Sequence, residues 1–378
     1  MARMSHTQLS PPRLIQTKSE LESVLAELDQ PLLAVDTESN SLHAYHEQVC
    51  LIQFSTEHAD YLIDPLVIGN LQPLAALFEN PAIEKIYHAA EYDIMTLKRD
   101  FGFAQSNLFD TYVAARTLGW DQSGLASILE SQFGVRQEKR YQRANWARRP
   151  LPEDMLNYAR LDTHYLIPLR NQLRPALVEA GRLEEAVEAF DLLTHAPAHT
   201  NGFDPDGFWQ LGDTRNLNGQ QAAILRELYL FREKEAERRD VPSFRIVGNR
   251  ALLALAKNPP AKLEELDQVK GFSGPRLDRY GSALMQAIVQ GRQANPPQRP
   301  RPPRASDEVR KRYDRLRQWR KRTAQQRSVD SDLILPRDYL WEIARANPNS
   351  SGALRSLMEP LEWRFNTYGA DILKLLRS

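Results

Sequence analysis

The apolar pattern divides the chain into a front half of mixed period and a back half of helical period. Over the first two hundred residues, short apolar runs bounded by polar residues alternate with 3.6-residue patterns. Pro31–Asp36 and Val49–Phe54 carry β-branched and aromatic residues and predict buried strands, and Ala59–Ile63 predicts a third. A helix is expected around Leu71–Phe78 and a fourth strand at Ile83–Tyr87. Another helix is expected over Glu91–Phe101, where Ile94, Leu97 and Phe101 recur at helical spacing. Three strands in succession, then helix, strand, helix, imply a mixed sheet covered by helices. Further helices fit 110–118 and 124–133. The stretch Gly134–Pro152 shows little periodicity, and helix resumes from Glu153 to Leu173 and on to Leu193.

Thr194–Gly219 is rich in turn residues and reads as a linker, and beyond it strand signals stop. The remaining chain repeats itself at a constant offset of 88. Leu228–Lys257 laid over Leu316–Arg345 gives nine identities in thirty, among them Arg232/Arg320, Arg239/Arg327, Ile246/Ile334 and Leu252/Leu340, and the same offset later pairs Tyr280-Gly281 with Tyr368-Gly369. Two small helical domains follow from this. Between them Asn295–Arg304 is proline-rich, which favours a stiff extended spacer. The expected organisation is α/β plus all-α, with one α/β domain over 1–210 and helical domains over 215–294 and 305–378.

Composition narrows the class. With 378 residues, 42% hydrophobic and 26% charged, wholesale disorder is excluded. The single cysteine, Cys50, builds neither an internal disulfide nor a zinc knuckle and suits a reducing compartment. The first residues, MARMSHTQLSPP, lack the apolar core of a signal peptide, and no window approaches the roughly 18 to 20 apolar residues of a membrane helix. A cytoplasmic protein with no membrane partner is expected. Lys+Arg and Asp+Glu balance at 49 each, yet residues 1–100 hold 15 acidic against 6 basic side chains and residues 292–329 hold 13 basic against 3 acidic. An acidic front and a basic back suit a polyanion gripped at one place and processed at another, although a solvated basic helix would show the same count.

The candidate chemistry lies in the front half. Asp36 and Glu38 end the first predicted strand two residues apart, so both carboxylates point to one face. Tyr158 and Asp162 stand four apart on a predicted helix and share a face of it, and Asp93 opens the helix after the fourth strand. Each has an ordinary alternative: a strand end meeting solvent, a surface pair, a first-turn carboxylate complementing the helix dipole. Together they change the picture. Carboxylates brought within about 4 Å repel by roughly 4 kcal/mol per pair at an effective dielectric near 20, and such a cluster requires cations. Two divalent ions about 3.5 to 4 Å apart activate a water and stabilise the leaving oxygen in phosphodiester hydrolysis. All-oxygen ligands favour Mg²⁺ or Mn²⁺ over zinc.

VDTES at 35–39, HAAEYDIMTL around Asp93 and YARLDTHYL at 158–166 resemble the three exonuclease motifs of the DEDD superfamily, in the variant with Tyr four residues before the last Asp. Asn157 stands where the histidine variant would carry its histidine. NLFDTYVAARTLG at 107–119 and YQRANWARRPLPEDMLNYA at 141–159 are similar to the ribonuclease D group and its eukaryotic exosome relative, over about residues 14–195. The repeated tail resembles paired HRDC domains. The first copy includes LEELDQVKGFSGPRLDRYG, whereas the second has Met358-Glu359-Pro360 in place of the Lys-Gly-Phe turn. The resemblance implies a ribonuclease H-like fold, with Asp36, Glu38, Asp93 and Asp162 as metal ligands and Tyr158 orienting the attacking water. It implies a 3′→5′ exoribonuclease that releases nucleoside 5′-monophosphates and acts on RNA 3′ ends, tRNA precursors among them. Nothing in the sequence demands more than a monomer, and no obligate protein partner is expected. A DNA exonuclease of repair and a non-catalytic RNA-binding scaffold are the alternatives.

Residues around this core are candidates for RNA contact. Tyr141, Arg143, Trp146 and Arg148 sit in an arginine-rich loop where aromatics and guanidinium planes can stack on bases. Gln53 and Phe54 lie beside the first motif, and Arg312 and Arg320 lie in a basic helix suited to phosphates. His88 is a further candidate, although a structural hydrogen bond explains it equally well. Asp110 is read as a helix N-cap, and Trp319 as core because it aligns with Phe231.

Overall fold

The computed structural model describes residues 9–198, 202–270, 272, 274–300 and 304–377. They form two compact units. One comprises Met1–Ser39, Val49–His199 and Arg304–Ser378, the other Asn40–Gln48 and Thr200–Pro303.

The first unit is built on a six-stranded mixed sheet of order β1-β4-β3-β2-β5-β6: β1 Arg13–Ile15, β2 Leu32–Ser39, β3 Val49–Ser55, β4 Asp60–Ile63, β5 Glu84–Tyr87 and β6 Leu108–Asp110. β2, β3 and β4 are antiparallel neighbours, while β1 joins β4, β5 joins β2 and β6 joins β5 in parallel. The α/β class expected from the pattern is therefore present. The outer strands β1 and β6 and the helix Lys18–Leu28 were not anticipated. That helix starts at a capping box in which Thr17 and Glu20 satisfy each other's backbone donors. The single helix expected from 153 to 173 is two, Glu153–His164 and Leu166–Glu179, broken at Tyr165. The core lies on both sheet faces, with Leu33, Val35, Ile52, Phe54, Ile86 and Phe109 packed against Phe78, Phe103 and Phe190.

Asp110 does more than the single cap expected of it. Fully buried at the end of β6, it accepts the N–H groups of Tyr112 and Val113 at the start of Thr111–Thr117, and those of Ala89 and Ala90 just before Glu91–Phe101. Ala89 is held there at φ 64°, a conformation costly for a residue with a Cβ. One carboxylate thus fixes where the helix carrying Asp93 begins.

The tail follows the 88-residue offset element by element. Gly219–Arg239, Ser243–Ile246 and Asn249–Lys257 match Asp307–Arg327, Ser331–Ile334 and Arg337–Ala346, and the two long helices end in left-handed Asp240 and Ser328. The copies diverge where the first has a 3₁₀ turn, Leu263–Gln268, and the second a full helix, Ser351–Met358. Phe272 of the Lys270-Gly271-Phe272 turn is buried, while Gly271 lies outside the described residues. Trp319 is core, as expected from its alignment. The expected linker 194–219 is largely part of the second unit: Phe208 is fully buried among Ile224, Leu225 and Tyr229, because the turn around it supplies apolar area that the short helices lack. In the proline-rich spacer, residues 301–303 lie outside the described ones. Arg299 is anchored over the Trp209 ring at 4.7 Å. Among the described residues no helix is long and apolar enough to cross a membrane.

Candidate active site

Helix Glu153–His164 lies on the sheet face that carries Asp36, Glu38, Leu51, Gln53 and Leu62. Leu51 and Leu62 share one cluster with Tyr158 and Ala159. Polar ties fix the helix there: the Ser55 and Thr163 hydroxyls meet at 2.7 Å, and His164 Nδ1 lies 3.0 Å from Asp60. This brings Tyr158 and Asp162 over the end of β2. Asp93 arrives from the first turn of Glu91–Phe101, where its Oδ1 accepts the Thr37 hydroxyl at 2.5 Å. Asp162 Oδ1 accepts the Gln137 amide at 2.6 Å.

The five motif residues share one electrostatic environment. The Asp36 carboxyl is pushed well above its ordinary range by burial first and then by Asp93, Asp162 and Glu38. Glu38 is raised by burial and then by Asp162 and Asp93. Asp93 and Asp162 are raised as well, chiefly by burial, with Thr37 and Gln137 opposing the rise through their hydrogen bonds. The Tyr158 phenol is raised by burial and by the charges of Asp162, Glu38 and Asp36. Carboxyl groups that disfavour one another's ionised form in a shared buried space are what a divalent cation would relieve. The donors are oxygens, as Mg²⁺ and Mn²⁺ prefer. Among the described residues no three Asp, Glu, His or Cys side chains close tightly enough to cage an ion unaided. Thr37 and Gln137 hold Asp93 and Asp162 in place.

The loop 134–152 closes the outer side of the helix. Arg149 forks onto Asp64 with two contacts of 2.6 Å and also donates to the carbonyls of Cys50 and Trp146. Burial alone would raise the Asp64 carboxyl, but Arg149 and Gln16 hold it below its ordinary value. The clamp lays the Tyr141 and Trp146 rings near Tyr158, at centroid distances of 5.6 and 6.1 Å. A cleft of about 270 Å³ opens beside Tyr158, lined by Tyr141, Arg136, Arg140, Asp154 and Asn157.

Several expected RNA contacts fall elsewhere. Trp146 is 1% exposed and belongs to the apolar cluster under the loop, so it offers no face to a base. Phe54 points to the sheet face opposite Asp36 and packs on Phe78, because neighbours on a strand alternate faces. Gln53 is on the right face but fully enclosed. His88 is bound to Thr111 at 2.9 Å with its edge on Tyr112, and burial lowers its pKa to about 4, which suits the structural reading. Arg312 donates to the Ala344 carbonyl and Arg320 to that of Leu335, both within their own helical domain. Tyr141 keeps partial exposure, with the Arg140 guanidinium over its ring at 4.6 Å, and Arg143 and Arg148 are exposed. Gln137 was not anticipated. It is a lone polar residue in an aperiodic loop, and only the folded loop shows what it touches.

Comparison with known proteins gives the family of the chain. Residues 12–178 match the 3′-5′ exonuclease family, and residues 221–288 and 309–376 each match the HRDC domain. Ribonuclease D of Acidiphilium cryptum is 34% identical over 303 residues, covering 79% of this chain and 77% of that protein. Ribonuclease D of Nitrobacter hamburgensis is 30% identical over 368 residues, covering 96% and 94%. Among solved structures, Escherichia coli RNase D, an exoribonuclease involved in structured RNA processing, aligns with a TM-score of 0.70 at 26% identity, over 97% of this chain and 99% of that one. The exonuclease family is divalent-metal dependent. The likeness spans sheet domain and helical tail alike, and the chain belongs to the ribonuclease D family of 3′–5′ exoribonucleases.

Proposed function

We propose that the chain removes nucleotides from the 3′ ends of structured RNA, tRNA precursors among them, at a site where Asp36, Glu38, Asp93 and Asp162 hold two divalent cations, Mg²⁺ or Mn²⁺. The observation that carries this reading is the convergence of β2, helix Glu91–Phe101 and helix Glu153–His164 on one place, with Asp93 bonded to Thr37 of β2 and Asp162 held by Gln137, where the Asp36 and Glu38 carboxyl pKa values are raised by burial first and then by the charges of Asp93 and Asp162. Bound there, such cations would polarise the scissile phosphodiester and activate the attacking water. Tyr158, packed against Tyr141 and Trp146, orients that water through its phenol and is held still by the rings behind it. Thr37 and Gln137 fix the orientation of Asp93 and Asp162. Tyr141, which lines the cleft, and the exposed Arg143 and Arg148 of the same loop receive the terminal nucleotides. Because Arg312 and Arg320 are committed to carbonyls, phosphate contact along the basic helix falls to exposed Lys311, Lys321 and Arg322. The setting is the cytoplasm, in keeping with the bacterial relatives, and the chain acts as a monomer without an obligate protein partner.

A time course on 5′-labelled RNA with a short single-stranded 3′ tail tests the reading. With Mg²⁺, a ladder shortening from the 3′ end is expected. Neither EDTA-treated protein nor Asp36→Asn should produce it, while Asp36→Asn keeps its fold and RNA affinity. Full activity of Asp36→Asn would remove the site assignment.

A further inference from the structure

Gln53 is enclosed beside the catalytic carboxylates and has no partner. It is 0% exposed, and neither its Nε2 nor its Oε1 makes a hydrogen bond. On β3 it stands directly across from Asp36 on one side and Leu62 on the other, so the three share the face beneath helix Glu153–His164. Its neighbours in that cluster, Leu51 and Leu62, show that an apolar side chain fits the surroundings. A Leu or Met there would avoid the full desolvation cost of an enclosed, unpaired amide. Such groups in native proteins mark a partner or a function.

The other carboxylates point to the partner. Asp93 has a neutral side-chain donor in Thr37, and Asp162 has one in Gln137. For Asp36 the described contacts hold only a backbone donor, from Thr37. The side chain placed to complete the pattern is the cross-strand neighbour Gln53, since residues paired this way on one face sit about 5 Å apart. We propose that Gln53 is a positioning residue for Asp36, its amide N–H donating to the Asp36 carboxylate in the metal-loaded site as Thr37 does to Asp93 and Gln137 to Asp162. The donor then fixes which carboxylate oxygen faces the ion, and partners of this kind set metal affinity. The proposal rests on Asp36 being a metal ligand.

The test compares Gln53→Leu, Gln53→Met, Asp36→Asn and the unaltered full chain by Mn²⁺ titration calorimetry without RNA, thermal unfolding without metal, and steady-state RNA digestion. Gln53→Leu should unfold no earlier than the unaltered chain, bind Mn²⁺ about 10-fold more weakly and lose about 10- to 100-fold in kcat, with KM for RNA within about two-fold. Gln53→Met should behave alike, and it carries the test if the branched side chain prevents folding. Unaltered Mn²⁺ affinity and kcat in the folded variant would make Gln53 plain core and overturn the proposal. Unaltered Mn²⁺ affinity in Asp36→Asn would instead overturn the metal-ligand reading on which the proposal stands.

Discussion

The two HRDC repeats keep one register and use it for different ends. Arg232 and Arg320, equivalent at the 88-residue offset, both reach the carbonyl that closes their short helix, Val247 in the first copy and Leu335 in the second. That arginine belongs to the fold. Arg239 and Arg327 are also equivalent, yet Arg239 pairs with Glu235 one turn back on its own helix, whereas the second copy has Thr323 at that place and Arg327 pairs with Glu185 of the exonuclease domain at 2.5 Å. Arg276 lies at the surface, while its equivalent Arg364 is buried between the Leu333 carbonyl and Glu188. Arg116 of the exonuclease domain reaches Asp330 and Asp332, where the first copy has Pro242 and Phe244. A few substitutions at fixed register therefore turn one repeat into a brace for the catalytic body.

The sharpest way to break this contrast is at Glu188. One of its oxygens takes the Arg364 guanidinium and the other the backbone N–H of Trp363, each at 2.5 Å, and both charged side chains are buried. Removing one partner leaves a buried charge unmatched, and Glu188→Ala should cost about 3 to 5 kcal/mol in urea-induced unfolding of the first unit. Arg276→Leu, the equivalent of the arginine partner, removes an exposed side chain whose interactions water screens, and should cost no more than about 1 kcal/mol. Equal losses in the two variants would erase the distinction between the buried arginine and its exposed equivalent.

The shared arginine comes next. Arg320→Met and Arg232→Met each remove a charged donor from a main-chain carbonyl, a change worth about 1.5 to 3 kcal/mol. The two losses should be similar, and RNA affinity of the folded Arg320→Met protein should be unchanged. A drop in RNA affinity with stability intact would return Arg320 to the nucleic-acid surface on which the sequence reading placed it.

Much of this was legible in the chain. Period two in β2 put Asp36 and Glu38 together, the four-residue spacing put Tyr158 over Asp162, and the offset of 88 held through both helix ends. The same alternation shows that Gln53 and Phe54 cannot both face Asp36, and the structure sends Phe54 to the opposite core. The three-residue strands β1 and β6 are too short to show a period, and propensity cannot register them. Trp146 among arginines looks like a stacking loop until the Arg149–Asp64 clamp folds it inward, a contact spanning 85 residues.

The smallest expected effect lies at the edge of the brace. Arg116 is largely covered, but Asp330 and Asp332 are 67% and 58% exposed at the side chain, so water competes for them. Arg116 also lies over the Tyr112 ring at 5.3 Å. Exposed ion pairs contribute about 0.2 to 1 kcal/mol and weaken as salt rises. Arg116→Gln should therefore lower unfolding stability by no more than about 1 kcal/mol at low ionic strength, with most of the difference gone near 1 M NaCl. The Glu188→Ala loss should persist at the same salt, because that pair is buried. If both losses vanish together in salt, the brace is held by surface charge throughout and its buried pairs contribute nothing of their own; if only the Arg116 difference fades, docking resides in Glu188 and Arg364, and the outer aspartates merely tune it.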